Sequence, residues 1–482
     1  MKIKLTNGNT IPVESHQVRI VRNVTLNPVK ERLGAIRGAG FNTFCLKSRD
    51  VFVDMLTDSG TNAMSDRQLS AMMIADDAYA GSESMERLEA AINDILGFKN
   101  ILPVHQGRAA EHLISRTMIK PGQVVIMNYH FTTSKVHVLF AGGVVEELCL
   151  DEALKTESSH PFKGNMDIAK LNASIRKHGK EKIAFIRMEA TTNLLGGQPF
   201  SMQNLREVSK IAKENGLPLV LDGSLIAENA FFIKEREAGF KSKSVKEIIL
   251  EMMSLIDLFY FSGRKSSSSR GGVIATNNEK LFNMMKPLLP VFEGFFTYGG
   301  MSSKEMEAMA VGIREMAEPN VVENVVAFVQ FFVEECIKEK IPVVTPPGGL
   351  ACHVDAKRFL SHIPQSEYPA GSLAAALFLI SGVRGMERGT ISMERNPDGS
   401  EALADIELLR LAVPRRVFTI SHVLFTVDRL KWLLANKHLV GGLKFTEEPP
   451  VLRFFVGKLA PIGGWDERLV NAFEKDFGKD AC

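Results

Sequence analysis

Between about Leu88 and Pro290, short apolar runs alternate with stretches of helical periodicity, and this alternation limits the fold more than any other feature of the chain. VVIMNY (Val124–Tyr129), VVEELCL (Val144–Leu150), IAFIRMEA (Ile183–Ala190), LPLVLD (Leu217–Asp222) and LFYFS (Leu258–Ser262) are too short for helices and rich in β-branched or aromatic residues. Between the third and fourth, SMQNLREVSKIAKENG reads as a helix with Ser201 as N-cap and Gly216 just past its end. Strands separated by helices predict an α/β architecture, a mostly parallel sheet covered on both faces. GGVIATN (Gly271–Asn277) follows LFYFS too closely for a crossover and is expected as its antiparallel neighbour.

After about Met316 the texture changes. A long helical segment, VVENVVAFVQFFVEECIKEK, leads into IPVVTPPGG and a mixed α/β tail. The N-terminal residues show no sheet of their own and are expected to pack with that tail. The expected organisation is an N-terminal arm and part of a small domain over 1–56, a large domain over 57–317 and a small C-terminal domain over 318–482. The composition, 45% hydrophobic and 24% charged with a net charge of +2, suits a soluble globular protein and suggests neither a nucleic-acid nor a membrane partner. The N-terminus MKIKLTNGNTIPVES has no apolar signal region, and no stretch reaches membrane-span length. Cys45, Cys149, Cys336, Cys352 and Cys482 are scattered, with neither metal-site nor disulfide-framework spacing, so a reducing cytoplasm is expected.

Open parallel sheets bind ligands beyond the carboxyl ends of their strands, so polar residues just after each apolar run are the candidates. Asn128 and His130, Thr191 to Asn193, Asp222, and Ser262 to Lys265 meet this criterion. Asp222 is either a turn aspartate or a buried carboxylate facing a cationic ligand nitrogen. LPVHQGRAAEHLISRTMI runs from a strand through Gly107 into a helix. It is either an ordinary connection or an anion cradle with Gln106 and Arg108 as added donors. Lys265, at the head of the serine-rich stretch GRKSSSSRGG, is either a solvated loop charge or a Schiff-base lysine. An anion-binding turn, a strand-end carboxylate and a strand-end lysine together match what pyridoxal phosphate requires.

Long ordered blocks extend this match across nearly the whole chain. They include GFNTFCLKSRDVFVDMLTDSGTNAMSD, DDAYAGSE, HQGRAAE, TTNLLGGQPFSM, AENAFFIKE, EGFFTYGGM, VRGMERG, RLAVPRRVFT and LRFFVGKL. They resemble the β-eliminating lyases, the tyrosine phenol-lyase and tryptophanase family of pyridoxal-phosphate enzymes. The resemblance implies the aspartate-aminotransferase-like fold (fold type I), a large and a small α/β domain, and a homotetramer built as a dimer of dimers. It implies that Lys265 forms the Schiff base, that Gln106, Gly107, Arg108 and Ser262 hold the phosphate, and that Phe131 stacks on the cofactor ring. Asp222 would pair with the ring nitrogen, and Asn193 would reach the 3-hydroxyl and the substrate carboxylate. Arg264 is expected beside the cofactor, and Thr57 and Ser59 near substrate and cofactor.

For the substrate, the resemblance implies that Arg410 binds the α-carboxylate, and that Tyr79 is the general acid that protonates the leaving aryl carbon. Arg388 in the MERG motif, with Thr132, would hold a phenolic hydroxyl, which favours a phenol over an indole leaving group. Phe44 and Phe455, with Phe295 and Phe454, could wall an aromatic pocket. The alternatives are a structural ion pair for Arg410, a packed aromatic for Tyr79, a salt bridge with Glu387 for Arg388, and core packing for the phenylalanines.

Three departures from the family pattern stand out. Leu225 occupies the place of an arginine that contacts the 3-hydroxyl. Arg264 precedes the Schiff-base lysine in place of a second lysine. SSSSR replaces a segment that belongs to a monovalent-cation site, where Asp77 also stands in place of a glutamate; potassium near Asp77 and Gly60 is thereby put in question. The activity expected is α,β-elimination of a tyrosine-like L-amino acid to a phenol, pyruvate and ammonia. β-Substitution, transamination or tryptophanase-type elimination on the same scaffold are the alternatives.

Overall fold

The computed structural model describes residues 2–396 and 398–478. Seven strands form its main sheet: β1 (Asn100–Val104), β2 (Val124–Met127), β3 (Val144–Glu147), β4 (Ile183–Glu189), β5 (Leu219–Asp222), β6 (Leu258–Ser262) and β7 (Gly272–Thr276). Their order is β1-β7-β6-β5-β4-β2-β3. The four pairings from β3 to β6 are parallel. The short connection from β6 returns β7 antiparallel, as its length requires, and β7 in turn pairs antiparallel with β1.

Alternation along the strands fills two apolar layers. Ile126, Ile186, Leu219, Leu221, Phe259 and Phe261 pack on one face. Val125, Met127, Phe185, Val220, Leu258 and Tyr260 pack on the other. Each such side chain, fully buried, contributes about 1.5–3 kcal/mol. The helix Met202–Asn215 begins where the Ser201 side chain accepts from Asn204 N–H and ends at Gly216, whose φ of 67° is left-handed.

Two compact units share the chain: Ser59–Val326, which contains the main sheet, and Met1–Asp58 with Ala327–Cys482. The change of composition near residue 318 marks the start of the helix Pro319–Lys338, whereas the division between units falls inside that helix. The second unit has its own three-stranded antiparallel sheet of β8 (Ala351–Asp355), β9 (Met386–Arg388) and β10 (Leu408–Ala412), with β10 in the middle. Contrary to the expectation of no sheet there, Lys2–Lys4 and Thr10–Pro12 pair antiparallel as a two-stranded sheet, and Val53–Asp54 pairs in parallel with Val383–Arg384, which ties the N-terminal segment into this unit. The helix Pro369–Ser381 is buried along its whole length at the centre of the unit's core.

Cys336 and Cys352 lie side by side as thiols, Sγ to Sγ 4.0 Å, and Cys45 and Cys149 are also free. Cys482 lies outside the described residues. Among the described residues no helix is long and apolar enough to cross a membrane.

Candidate active site

The loop from β6 to β7 carries Lys265, and its four serines face inward. Ser266, Ser267, Ser268 and Ser269 are all buried. Ser267 Oγ donates to Gly263 O at 2.7 Å and lies 2.9 Å from Ser269 Oγ. Ser266 Oγ donates to Ser224 O at 2.9 Å and to Glu228 Oε2 at 3.0 Å. The backbone closes on itself, Ser269 N–H to Gly263 O at 3.0 Å and Ser268 N–H to Lys265 O at 3.0 Å. Side chains from afar also reach loop carbonyls: Asn62 Nδ2 donates to Lys265 O at 3.0 Å and Gln68 Nε2 to Ser267 O at 2.9 Å. A Cβ on Gly312 would collide with Ser267 O, so only glycine lets its helix come this close. What the sequence offers as a serine-rich loop is therefore a packed pedestal under Lys265.

Around that lysine the unit holds two opposite charge imbalances. Three buried carboxylates, Glu189 and Asp222 at the ends of β4 and β5 and Glu111 from the helix Gly107–Met118, surround one guanidinium, that of Arg187. Arg187 Nη2 meets Asp222 Oδ2 at 2.7 Å, Nη1 meets Glu189 Oε2 at 3.3 Å, and Nε donates to Tyr260 Oη at 2.9 Å. The Tyr260 hydroxyl donates in turn to Glu111 Oε1 at 3.4 Å, and Thr133 Oγ1 donates to Glu111 Oε2 at 2.6 Å. Burial and the Asp222 charge push Glu111 up to about 7. Burial also raises Glu189, with Arg187 opposing it. Burial works against the Arg187 charge, but Tyr260, Glu189, Asp222 and Glu111 outweigh it and hold its pKa well above the ordinary value. A second cation would balance this cluster.

The other imbalance is positive. Arg264 is half-buried and donates to Ser59 Oγ and Ser59 O, both at 3.3 Å. Burial, then Arg270 and Arg108, lower its pKa. Arg108 lies in the first turn of the helix Gly107–Met118, whose leading N–H groups point outward. The chain is tightly packed there: a Cβ on Gly107 would stand 3.0 Å from Ser262 Cβ, and one on Gly272 would stand 2.8 Å from the carbonyl carbon of Gln106. An anion would balance the three guanidiniums.

Lys265 Nζ lies 5.0 Å from the centre of the Phe131 ring, and the Asn193 side-chain oxygen is buried without a hydrogen-bond partner. The structure thus gathers Lys265, Phe131, Asn193, Asp222, Gln106, Gly107, Arg108, Ser262 and Arg264 in one unit. Together they suit a flat ligand with a cationic nitrogen at one end and an anion at the other. Pyridoxal phosphate fits these donors: a ring nitrogen for Asp222, a ring face for Phe131, a 3-oxygen for Asn193, an aldehyde for Lys265 and a phosphate for the glycine turn.

The other unit carries a second set of candidates. Cross-strand register places Arg410 of β10 opposite His353 of β8 and Met386 of β9, and Arg388 opposite Leu408. Opposed pairs share a face, so Arg410, Arg388 and His353 stand on one side of this sheet. Arg410 is 2% exposed, its Nη2 bonded to Asp58 Oδ1 at 2.9 Å and its Nε without an acceptor. Burial lowers its pKa, with Asp58 opposing. Arg388 lies over Phe454, 5.5 Å from the ring centre, and Phe44, Phe454 and Phe455 form a mutual aromatic cluster with centroids 3.9–5.4 Å apart. Glu387 gives its carboxylate to Ser392 Oγ at 2.6 Å and Ile391 N–H at 3.2 Å.

The remaining candidates are placed differently. Thr132 is buried in the first turn of Thr132–Phe140, in the unit of Lys265, whereas Arg388 belongs to the other unit. Thr57 and Ser59 fall on either side of the division. Tyr79 is 68% exposed and stacks on Phe295 at 5.2 Å, and the Tyr298 hydroxyl raises its pKa. Phe295 is thus a partner of Tyr79, in the unit opposite to Phe44 and Phe455. Asp77 is exposed, and a Cβ on Gly60 would collide with the Arg264 guanidinium. Among the described residues no three His, Cys, Asp or Glu side chains cluster to hold a metal ion. Leu225 is buried, and its N–H donates to Ala190 O at 3.0 Å.

Arg187, Glu189, Glu111, Tyr260, Asp58 and His353 are not among the sequence candidates. A signal for two of them exists: IAFIRMEA interrupts an apolar strand with Arg187 and Glu189, two residues apart and so on one face. Such charges in a strand buried on both faces need partners in the site or the core.

The chain matches the family model described as beta-eliminating lyase over residues 54–429. It is 46% identical over 451 residues to the tyrosine phenol-lyase of Symbiobacterium thermophilum, covering 93% of this chain and 98% of that protein. To the tyrosine phenol-lyase of Intrasporangium calvum it is 43% identical over 450 residues, covering 93% and 95%. Among solved structures, the serine palmitoyltransferase of Sphingomonas wittichii superposes with a TM-score of 0.57 at 12% identity, over 86% of this chain and 97% of that one. The serine palmitoyltransferase of S. paucimobilis with bound PLP–myriocin aldimine gives 0.55 at 14% identity, over 80% and 88%. These structures share the α/β fold of type I pyridoxal-phosphate enzymes, the aspartate-aminotransferase-like architecture.

Proposed function

The chain belongs to the β-eliminating lyase family and is a pyridoxal-phosphate-dependent lyase, and on that premise we propose that it cleaves a tyrosine-like L-amino acid and water into a phenol, pyruvate and ammonia. The carrying observation is the shared face of β9 and β10. Arg410 and Arg388 are diagonal neighbours there, and Arg388 lies over the Phe454 ring. Diagonal positions across a strand pair are about 7–8 Å apart. Two arginines on one face of this sheet, beside Phe44, Phe454 and Phe455, suit an aromatic substrate with a carboxylate at one end and a hydroxyl at the other.

When bound, pyridoxal phosphate offers an aldehyde for amines and an electron sink for the pair left at Cα. The roles of the chain's own residues are those that the family pattern implies for these positions. Gln106, Gly107, Arg108 and Ser262 would hold the phosphate, with Arg264 beside the cofactor. Phe131 would stack on the cofactor ring and Asp222 would pair with its nitrogen. In the family pattern the substrate carboxylate falls to Arg410 and Asn193 and the phenolic hydroxyl to Arg388 and Thr132, and those assignments are carried over residue by residue. Lys265 Nζ would take the α-proton of the bound amino acid. The Tyr79 hydroxyl gives a proton to the aryl carbon, so that the phenol leaves as the neutral molecule. Thr57 and Ser59 border the substrate.

We assign to the Arg264 guanidinium, packed against Gly60, the charge that a monovalent cation near Asp77 and Gly60 would bring in this family. The family also supports a homotetramer, a dimer of dimers, and the free thiols suit the cytoplasm. A second reading is favoured by Leu225, whose buried apolar side chain cannot stabilise charge on a 3-oxygen as a cation would. On that reading the same site carries out β-substitution, transamination or elimination from a different amino acid.

Product analysis separates the two. Holoenzyme incubated with L-tyrosine should yield phenol and pyruvate in equal amounts. Absence of both, with pyruvate or an exchanged side chain arising from another amino acid, overturns the first reading in favour of the second.

A further inference from the structure

Asp222 is crowded before any ligand arrives. Its Oδ1 accepts from Ser224 N–H at 3.0 Å and Ser224 Oγ at 2.8 Å, and its Oδ2 accepts from Arg187 Nη2 at 2.7 Å. Each carboxylate oxygen accepts along two directions, so Oδ2 keeps one for a ring nitrogen. Arg187 Nη2 and a ring nitrogen would therefore draw on the same carboxylate oxygen. We infer that Arg187 is a positioning residue that competes with the cofactor's ring nitrogen for Asp222, and so sets how tightly that nitrogen holds its proton.

Every charged neighbour of the pair enters this balance. Glu189 Oε2 draws Arg187 Nη1 away from Asp222, while Glu189 Oε1 accepts from Asn193 N–H at 3.1 Å. Tyr260 takes Arg187 Nε from β6, and Glu111 reaches the group from the helix Gly107–Met118. His130 is buried, and burial lowers its pKa; Glu147 opposes this, and the Lys135 and Arg187 charges add to it. Lys265 adds its charge on the far side, where it acts on Glu189. The guanidinium is thus divided among Asp222, Glu189 and Tyr260, and the share left to Asp222 governs the nitrogen. Less proton on that nitrogen means a weaker electron sink, so the arrangement would moderate how long charge resides in the ring after the α-proton leaves.

The inference rests on pyridoxal phosphate as the cofactor and not on the leaving group, so its test needs no turnover. Holoenzyme carrying cofactor labelled with nitrogen-15 in the ring is titrated, and the nitrogen chemical shift reports its proton. Arg187→Gln should keep the proton to a pH higher by about one unit or more. Arg187→Lys should stay near the wild type. Glu189→Gln should lose the proton at lower pH, because it frees Arg187 for Asp222 and removes a negative charge. Equal nitrogen titrations in the wild type and Arg187→Gln would overturn the inference and leave Arg187 a structural ion pair. Should Arg187→Gln fail to fold, Glu189→Gln decides: a downward shift supports the inference and an unmoved titration overturns it.

Discussion

His353 and Arg410 stand directly opposite each other across β8 and β10, and burial together with the Arg410 charge pushes the imidazole down to about 3. A neutral imidazole leaves Arg410 and Asp58 as the charged pair at this position. The guanidinium Nε has no acceptor.

Arg410→Lys is expected to raise KM for the amino acid by about 10- to 100-fold, the loss of a charge-assisted two-armed pairing worth about 1.5–3 kcal/mol. The absorption of the lysine-bound cofactor should match that of the wild type. A change in that absorption would move Arg410 from substrate binding to support of the cofactor.

Lys265→Ala should abolish covalent capture. Borohydride treatment of the wild type should add the mass of reduced pyridoxal phosphate to the peptide containing Lys265. The variant should carry no such adduct. An adduct on another lysine of the wild type would remove Lys265 from its assigned role.

Glu387 gives a pH signature. Burial and the neighbouring Glu407 push it up to about 7 from the ordinary 4.5. Its folded form therefore favours the proton, and the stability this confers is present below the unfolded value and is lost as pH rises through the folded one. Glu387→Gln should match the wild type in Tm near pH 4.5 and exceed it above pH 7, and a constant difference across that window would contradict the assignment.

Gly312→Ala should destabilise the unit that holds Lys265, because its Cβ meets Ser267 O and backbone must move. Overpacking of this kind costs about 1–3 kcal/mol. Denaturant midpoints should fall, and cofactor dissociation should quicken as the pedestal shifts. Unchanged cofactor retention would mean that the loop holds Lys265 without support from this helix.

Exchange of potassium for sodium or lithium should leave turnover unchanged, since the Arg264 guanidinium already packs against Gly60. Strong activation by potassium would show that a cation is needed beside that guanidinium.

The layered sheet was legible because its strands are continuous apolar runs bounded by helices, and even the reversal at β7 followed from the shortness of its connection. Asp222 and Lys265 were legible because they terminate such runs. The burial of Ser266 to Ser269 was not, since serines look alike whether water or Gly263 O and Glu228 satisfy them. Arg187 and Asp58 were hidden for a related reason: an ion pair depends on which strands become neighbours. The pairing of β4 with β5 is decided by the whole sheet, not by either strand.

The clamp on the Lys265 loop has a consequence for how the protein is made. Asn62 and Gln68 are separated from their acceptors in that loop by 203 and 199 residues. Contacts of such separation form only after a large loop has closed. Residues near 62–68 leave the ribosome early and must wait for β6 and β7 before they can grip anything. The lysine thus reaches its working position late in the maturation of the unit, and a nascent or partly folded chain presents no finished site to free pyridoxal phosphate.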